Sequence, residues 1–137
     1  MIDTGPTRHL SWRELACHDG TPYPDAWRSN RAVTLGLTFE TIRRLLGDRP
    51  LAILSGYRTA AYSSRLEGAA SHSQHVEGRA LDLSHPTLTS REVHGMILAA
   101  LGELPMLGGL GLYRTFVHVD VRPRLTGRVA QWRGKDV

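Results

Sequence analysis

The chain has 137 residues, 41% hydrophobic and 22% charged, with 17 basic against 13 acidic side chains and a net charge of +4. That length fits one domain with a core of its own, and no apolar run approaches the roughly 20 residues that a bilayer crossing needs. The single cysteine, Cys17, excludes an internal disulfide and any zinc cluster built on cysteines, and suits a small buried helical residue. Residues 122–137 hold five bases against one acid, which is the whole of the charge excess. One domain over 1–137 with a basic C-terminal tail from 122 is therefore expected. The tail is either a solvated end or a contact for a polyanion, with Trp132 as its anchor. Met1–Pro6 lacks the basic-then-apolar pattern of a secretory signal, so the expected location as synthesised is the cytoplasm.

In chain order, Ser11-Trp12-Arg13-Glu14 has the form of a capping box and predicts a short helix ending near Cys17. Asp19–Pro24 reads as loop. Apolar residues at Val33, Leu35, Phe39, Ile42, Leu45 and Leu46 predict a helix from Asp25 to Leu46, stopped by Gly47. The apolar run Leu51–Leu54, between Pro50 and Gly56, predicts a buried strand. Thr59–Leu66 predicts a further helical turn or two, and Ser90–Leu101 a helix with Gly102 past its end. Ala80–Leu83 and Phe116–Val121 alternate as strands do. In the first, Leu81 and Leu83 face one side and Ala80 and Asp82 the other. In the second, Val117, Val119 and Val121 face the core, and Phe116, His118 and Asp120 share the opposite face. Leu110–Tyr113 can pair with the second strand as a hairpin. The expected fold class is α+β: a small antiparallel sheet packed against helices.

Two of these segments carry the chemistry. His75 lies seven residues before Asp82, with Gly78 between them for a tight turn back into a strand. His118 arrives from a strand whose other face is buried. Two imidazoles and a carboxylate are a three-ligand zinc set with a fourth position open, the pattern of a catalytic rather than a structural site. The pattern alone leaves two readings open, a zinc site or histidines satisfied by hydrogen bonds. His72 pairs with His75 as His-x-x-His, without a helical pattern to support it, and Glu77 reads as a solvated loop residue. Gly108-Gly109-Leu110-Gly111 does not precede a helix and lacks the lysine of a phosphate loop, which argues against a nucleotide site.

The motifs Ser55-Gly56-Tyr57-Arg58, Gly68-Ala69-Ala70, Ser73-x-His75-x-x-Gly78-x-Ala80-x-Asp82, Gly111-Leu112-Tyr113 and Phe116-Val117-His118-Val119-Asp120 run through most of the chain. They resemble the D-alanyl-D-alanine carboxypeptidase type of zinc peptidase (peptidase family M15), whose fold is shared with the signalling domain of hedgehog proteins. The opening Glu14-Leu15-Ala16-Cys17-His18-Asp19-Gly20 is similar to the small phage and prophage branch. The resemblance implies one zinc ion per chain on the sheet face, held by His75, Asp82 and His118. It implies that Arg58 stabilises an oxyanion, with Ser73 and Tyr113 on the substrate side. The acidic residue or histidine that much of this family places just before its last zinc ligand is absent, because Thr115 and Phe116 stand there. Asp120 is the nearest substitute as general base; it could equally hydrogen-bond Arg58 or orient His118.

The resemblance thus implies hydrolysis of peptidoglycan stem peptides or short D-amino-acid peptides, as a carboxypeptidase or an endolysin-type endopeptidase. A phage-type lysin released to the wall by another protein would fit the lack of a signal. The alternative is a zinc-bearing wall-binding or structural module with weak or no catalysis. A nucleic-acid binder working through the basic tail ranks behind both, because the remainder of the chain is charge-balanced, and no membrane partner is expected. Oligomeric state is not legible.

Overall fold

The computed structural model describes residues 4–66 and 73–137. Ser11 caps the first helix, α1 (Trp12–Leu15), as expected: its hydroxyl accepts the Glu14 N–H at 3.1 Å, and the Glu14 carboxylate accepts the Ser11 N–H at 2.9 Å. The helix expected from Asp25 is split. A 3₁₀ turn occupies Asp25–Trp27, and α2 runs only over Arg31–Leu45. The break falls at Asn30, whose backbone is not helical and whose Oδ1 takes the Arg31 N–H at 2.6 Å. Asparagine competes in this way for the donors at a helix start. Gly47, with φ of +91°, follows the end of α2.

β1 (Ala52–Ser55) corrects the expectation of a buried strand. It is the edge of the sheet, with Ala52 and Leu54 exposed. An apolar run of four residues is too short for its pattern to separate an edge from an interior strand. α3 (Ala60–Ser64) begins at Thr59, whose hydroxyl accepts the Tyr62 N–H. After it come β2 (Ala80–Ser84) and α4 (Ser90–Ala99), which opens on a second capping box of Thr89 and Glu92. Gly102 does not stop this helix; it lies inside a 3₁₀ turn, Leu101–Glu103, that tightens the exit. β3 (Gly109–Leu112) and β4 (Val117–Asp120) form the expected hairpin. The expectation of a basic tail did not foresee β5 (Ala130–Arg133), which lies parallel to β3.

The sheet order is β1-β2-β4-β3-β5, antiparallel except for the last pair, and the fold is α+β. Strand alternation divides its faces. Leu81, Leu83, Leu110, Leu112, Val117 and Val119 join Leu35, Phe39 and Ile42 of α2 and Val93 and Ile97 of α4 in one buried core. Each such side chain contributes roughly 1.5–3 kcal/mol by leaving water. That core fixes the register, since a slip of one residue would turn every apolar side chain outward. The register in turn sets one row across the opposite face: Ser55, Asp82, His118, Gly111 and Trp132, one residue from each of the five strands. No helix among the described residues is long and apolar enough to cross a membrane.

Candidate metal centre

Asp82 and His118 are direct cross-strand neighbours in that row. His75 reaches them from the loop before β2, which turns at Gly78 with φ of +68°. A Cβ there would lie 2.6 Å from the Trp27 ring and 2.9 Å from the Tyr23 hydroxyl, so only glycine fits. Tyr23 pins the same turn by donating its hydroxyl to the Gly78 carbonyl at 2.7 Å. The backbone N–H of Arg58 donates to the His75 carbonyl, and that of Tyr57 to Leu15, so α1, the 56–58 loop and the His75 loop are tied together.

The three side chains are almost wholly buried, with exposures of 2% for His75, 5% for Asp82 and 6% for His118. One donor atom from each lies within 4.8 Å of the others. Asp82 Oδ1 is 3.1 Å from His75 Nε2 and 3.2 Å from His118 Nδ1. Ligand atoms of a tetrahedral zinc with bonds of about 2.0–2.1 Å are separated by about 3.3 Å, so these spacings suit that ion.

The outer hydrogen bonds decide which atoms face inward. His75 Nδ1 lies 2.7 Å from the Gly56 carbonyl oxygen, which only accepts, so the ring proton is on Nδ1 and the Nε2 lone pair faces Asp82. Burial, the leading influence, pushes the His75 pKa down and keeps the ring neutral. A neutral imidazole thus points a lone pair at a carboxylate oxygen, an arrangement that calls for a cation between them. His118 is oriented likewise: its Nε2 donates to Asp120 Oδ2 at 2.7 Å, which turns Nδ1 toward Asp82. Burial alone would lower the His118 pKa, but Asp120 and Asp82 outweigh it and raise it. A proton and a metal ion therefore compete for the same Nδ1 lone pair. Burial likewise opposes ionisation of Asp82, yet the two imidazoles against it hold its carboxyl well below the usual carboxylate range. The donor set fits zinc.

Asp82 is held from behind. Arg58 donates Nη2 to its Oδ2 at 3.2 Å and Nε to the Ser55 hydroxyl at 3.0 Å. Asp120 is fully buried. Its Oδ2 meets His118 and Arg122, and its Oδ1 accepts the Arg122 backbone N–H and Nε. Both oxygens are engaged, on the edge of the His118 ring away from Asp82. Burial works to raise its pKa, but the bonds from His118 and Arg122 bring it down to about 2. Ser73 accepts the His75 backbone N–H at 3.2 Å, a local turn. Tyr113 stacks on Phe116 with centroids 4.5 Å apart, and its hydroxyl accepts Trp132 Nε1 at 2.9 Å. Glu77 pairs with Arg31 and Arg79, away from the cluster. His72 and the Gly68-Ala69-Ala70 motif lie outside the described residues.

Trp132 is the member of the site that sequence reasoning placed only as a tail anchor. Its ring centroid is 5.0 Å from that of His118, and the Arg122 guanidinium lies over the same indole, 5.0 Å from the ring centroid. Gly111 makes the room, since a Cβ there would come within 2.5 Å of Trp132 Nε1. A glycine inside a strand often marks such a close approach, and Gly111 was the available signal.

A protein-family model described as Peptidase M15 matches residues 8–120, most of the chain. The match ends at Asp120, before Arg122 and β5. No curated protein matches the chain.

Proposed function

The chain belongs to the peptidase M15 family, and from that premise we propose that it is a zinc peptidase cutting peptidoglycan stem peptides, as a D-alanyl-D-alanine carboxypeptidase or an endolysin-type endopeptidase. The observation that carries the reading is the convergence of His75 Nε2, Asp82 Oδ1 and His118 Nδ1, each fixed from behind by a second group. Zinc bound there would polarise the scissile carbonyl and lower the pKa of a water toward about 7. The chain's own residues do the rest. Arg58 steadies Asp82 through Nη2 and bonds Ser55 through Nε, and its Nη1, with no partner among the described residues, can hold negative charge developing on the carbonyl oxygen. Asp120 keeps His118 in the tautomer that presents Nδ1, a positioning role, since neither of its oxygens is left to accept a proton. Substrate-side roles for Ser73, beside His75, and for Tyr113, hydrogen-bonded to Trp132, belong to the same proposal. Release to the cell wall as a phage-type lysin belongs to the same proposal.

A second reading, a zinc-bearing wall-binding module with weak catalysis, is favoured by one observation. Among the described residues Asp120, with both oxygens engaged, is the one carboxylate or imidazole outside the triad that is hydrogen-bonded to it, and Thr115 and Phe116 carry no proton acceptor for a water. The test is zinc content of the purified protein together with release of peptide fragments from purified peptidoglycan, with and without chelator. One zinc per chain with chelator-sensitive release supports the peptidase. Zinc without release from any wall type selects the module, and absence of zinc overturns both.

A further inference from the structure

We propose that a second site, a cleft between the start of α2 and the segment after β4, binds a phosphate ester. The cleft has a volume of about 470 Å³, within the range of small-molecule sites. Four arginines line it, Arg31, Arg79, Arg122 and Arg124, and among the described residues no carboxylate does. None of the three inward-facing metal-centre residues lines it either, so the inference stands whether or not that centre turns over substrate.

The guanidinium groups are held in place by partners that do not cancel them. Arg124 donates Nε and Nη2 to the carbonyls of Leu107 and Leu104, at 2.6 and 2.8 Å, and gains no counter-charge among the described residues. Arg31 lies 4.2 Å over the Trp27 ring and donates Nη1 to the Glu77 carbonyl at 2.8 Å. The one Glu77 carboxylate is shared, at 3.5 Å from Arg31 and 3.9 Å from Arg79. Asp120, which pairs with Arg122, is also engaged by His118. Four positive charges thus stand against two carboxylates.

An excess of two charges selects a dianion, or neighbouring monoanions on one polymer. Arginine forks match phosphate oxygens in pairs, and arginines already fixed by carbonyls and a ring lose little freedom on binding. Pro105, Met106 and Pro123 give the cleft an apolar wall for the organic part of an ester. The same chemistry is offered by a small phosphate monoester and by a polymer of repeating phosphodiesters.

The experiment is calorimetric titration of zinc-loaded, full-length protein with glycerol 3-phosphate and, separately, with poly(glycerol phosphate). Saturable binding of either is expected, weakening as salt rises. Binding of the monoester identifies a small ester as the ligand class; binding of the polymer alone identifies the repeating diester. Arg79→Gln, at a residue whose only ion pair among the described residues is the long contact to Glu77, should weaken binding about tenfold or more with zinc content and melting midpoint unchanged. Arg31→Gln is the second variant should the first fold poorly. Absence of saturable binding at millimolar concentrations of both probes, or affinity indifferent to both substitutions, overturns the proposal.

Discussion

Asp120 Oδ2 lies 2.7 Å from His118 Nε2, on the opposite side of the imidazole from Asp82. On the proposed reading the carboxylate would act on the centre through the ring. Asp120→Asn should lower zinc affinity by 10- to 100-fold, the usual cost of losing such a partner, and activity should recover at saturating zinc. Chelator competition on the variant measures the first, and activity against added zinc the second. Full zinc affinity with lost turnover would instead make Asp120 a proton acceptor.

The His75 and His118 lone pairs converge on a buried carboxylate, so removing the metal leaves them facing it. Chelation should lower the melting midpoint on the order of 10 °C, the scale set by a ligand present at 1,000 times its Kd. His75→Ala and His118→Ala should lose both the metal and this chelator response. If both variants retain one zinc per chain by metal analysis, the ligand assignment is wrong.

Gly111→Ala sets a methyl group 2.5 Å from Trp132 Nε1 and 2.6 Å from its Cε2. The ring must move, at an expected cost of about 1–3 kcal/mol, and the Trp132–Tyr113 hydrogen bond is lost. Gly109→Ala meets the Asp120 carboxylate and should weaken zinc binding as well. Gly95, within α4, has open space around its Cβ position, so Gly95→Ala should gain up to about 1 kcal/mol. Denaturant melts of the three variants check the order.

Asp120 has its pKa brought down from 3.8 to about 2 by His118 and Arg122, against the opposing effect of burial. A carboxylate whose folded value is depressed stabilises the protein above its unfolded value, and that contribution disappears as pH falls through the folded one. Metal-free protein should therefore lose on the order of 2 kcal/mol between about pH 4 and pH 2. Thermal melts across that range should show a shallower acid limb for Asp120→Asn than for the wild type.

The inward-facing triad was legible because its signals are local. The Ser73–Asp82 motif with its Gly78 turn, and the alternation in Phe116–Val121, place three ligand-type side chains on one face before any tertiary contact is known. Capping boxes at Ser11 and Thr89 are equally local. What stayed hidden depends on contacts far apart in sequence. Asp120 sits on the same strand face as His118, but only the position of Arg122 and the ring's tautomer decide between accepting a proton and orienting a neighbour. β1 reads like an interior strand because Ile53 and its neighbours are apolar, although no strand among the described residues covers its outer edge. β5 lies in a charged segment, and its place is set by the gap that Gly111 leaves for Trp132.

The cross-strand row on the sheet's polar face is unevenly secured. Asp82 and His118 ride on β2 and β4, flanked on both sides and backed by the core, whereas Ser55 and Trp132 ride on the two edges. Backbone amides at edges open to solvent well before those of central strands. In deuterium exchange the row should therefore label from its ends toward its middle. Ser55 and Trp132 would be able to shift on a timescale at which the carboxylate and imidazole between them stay fixed.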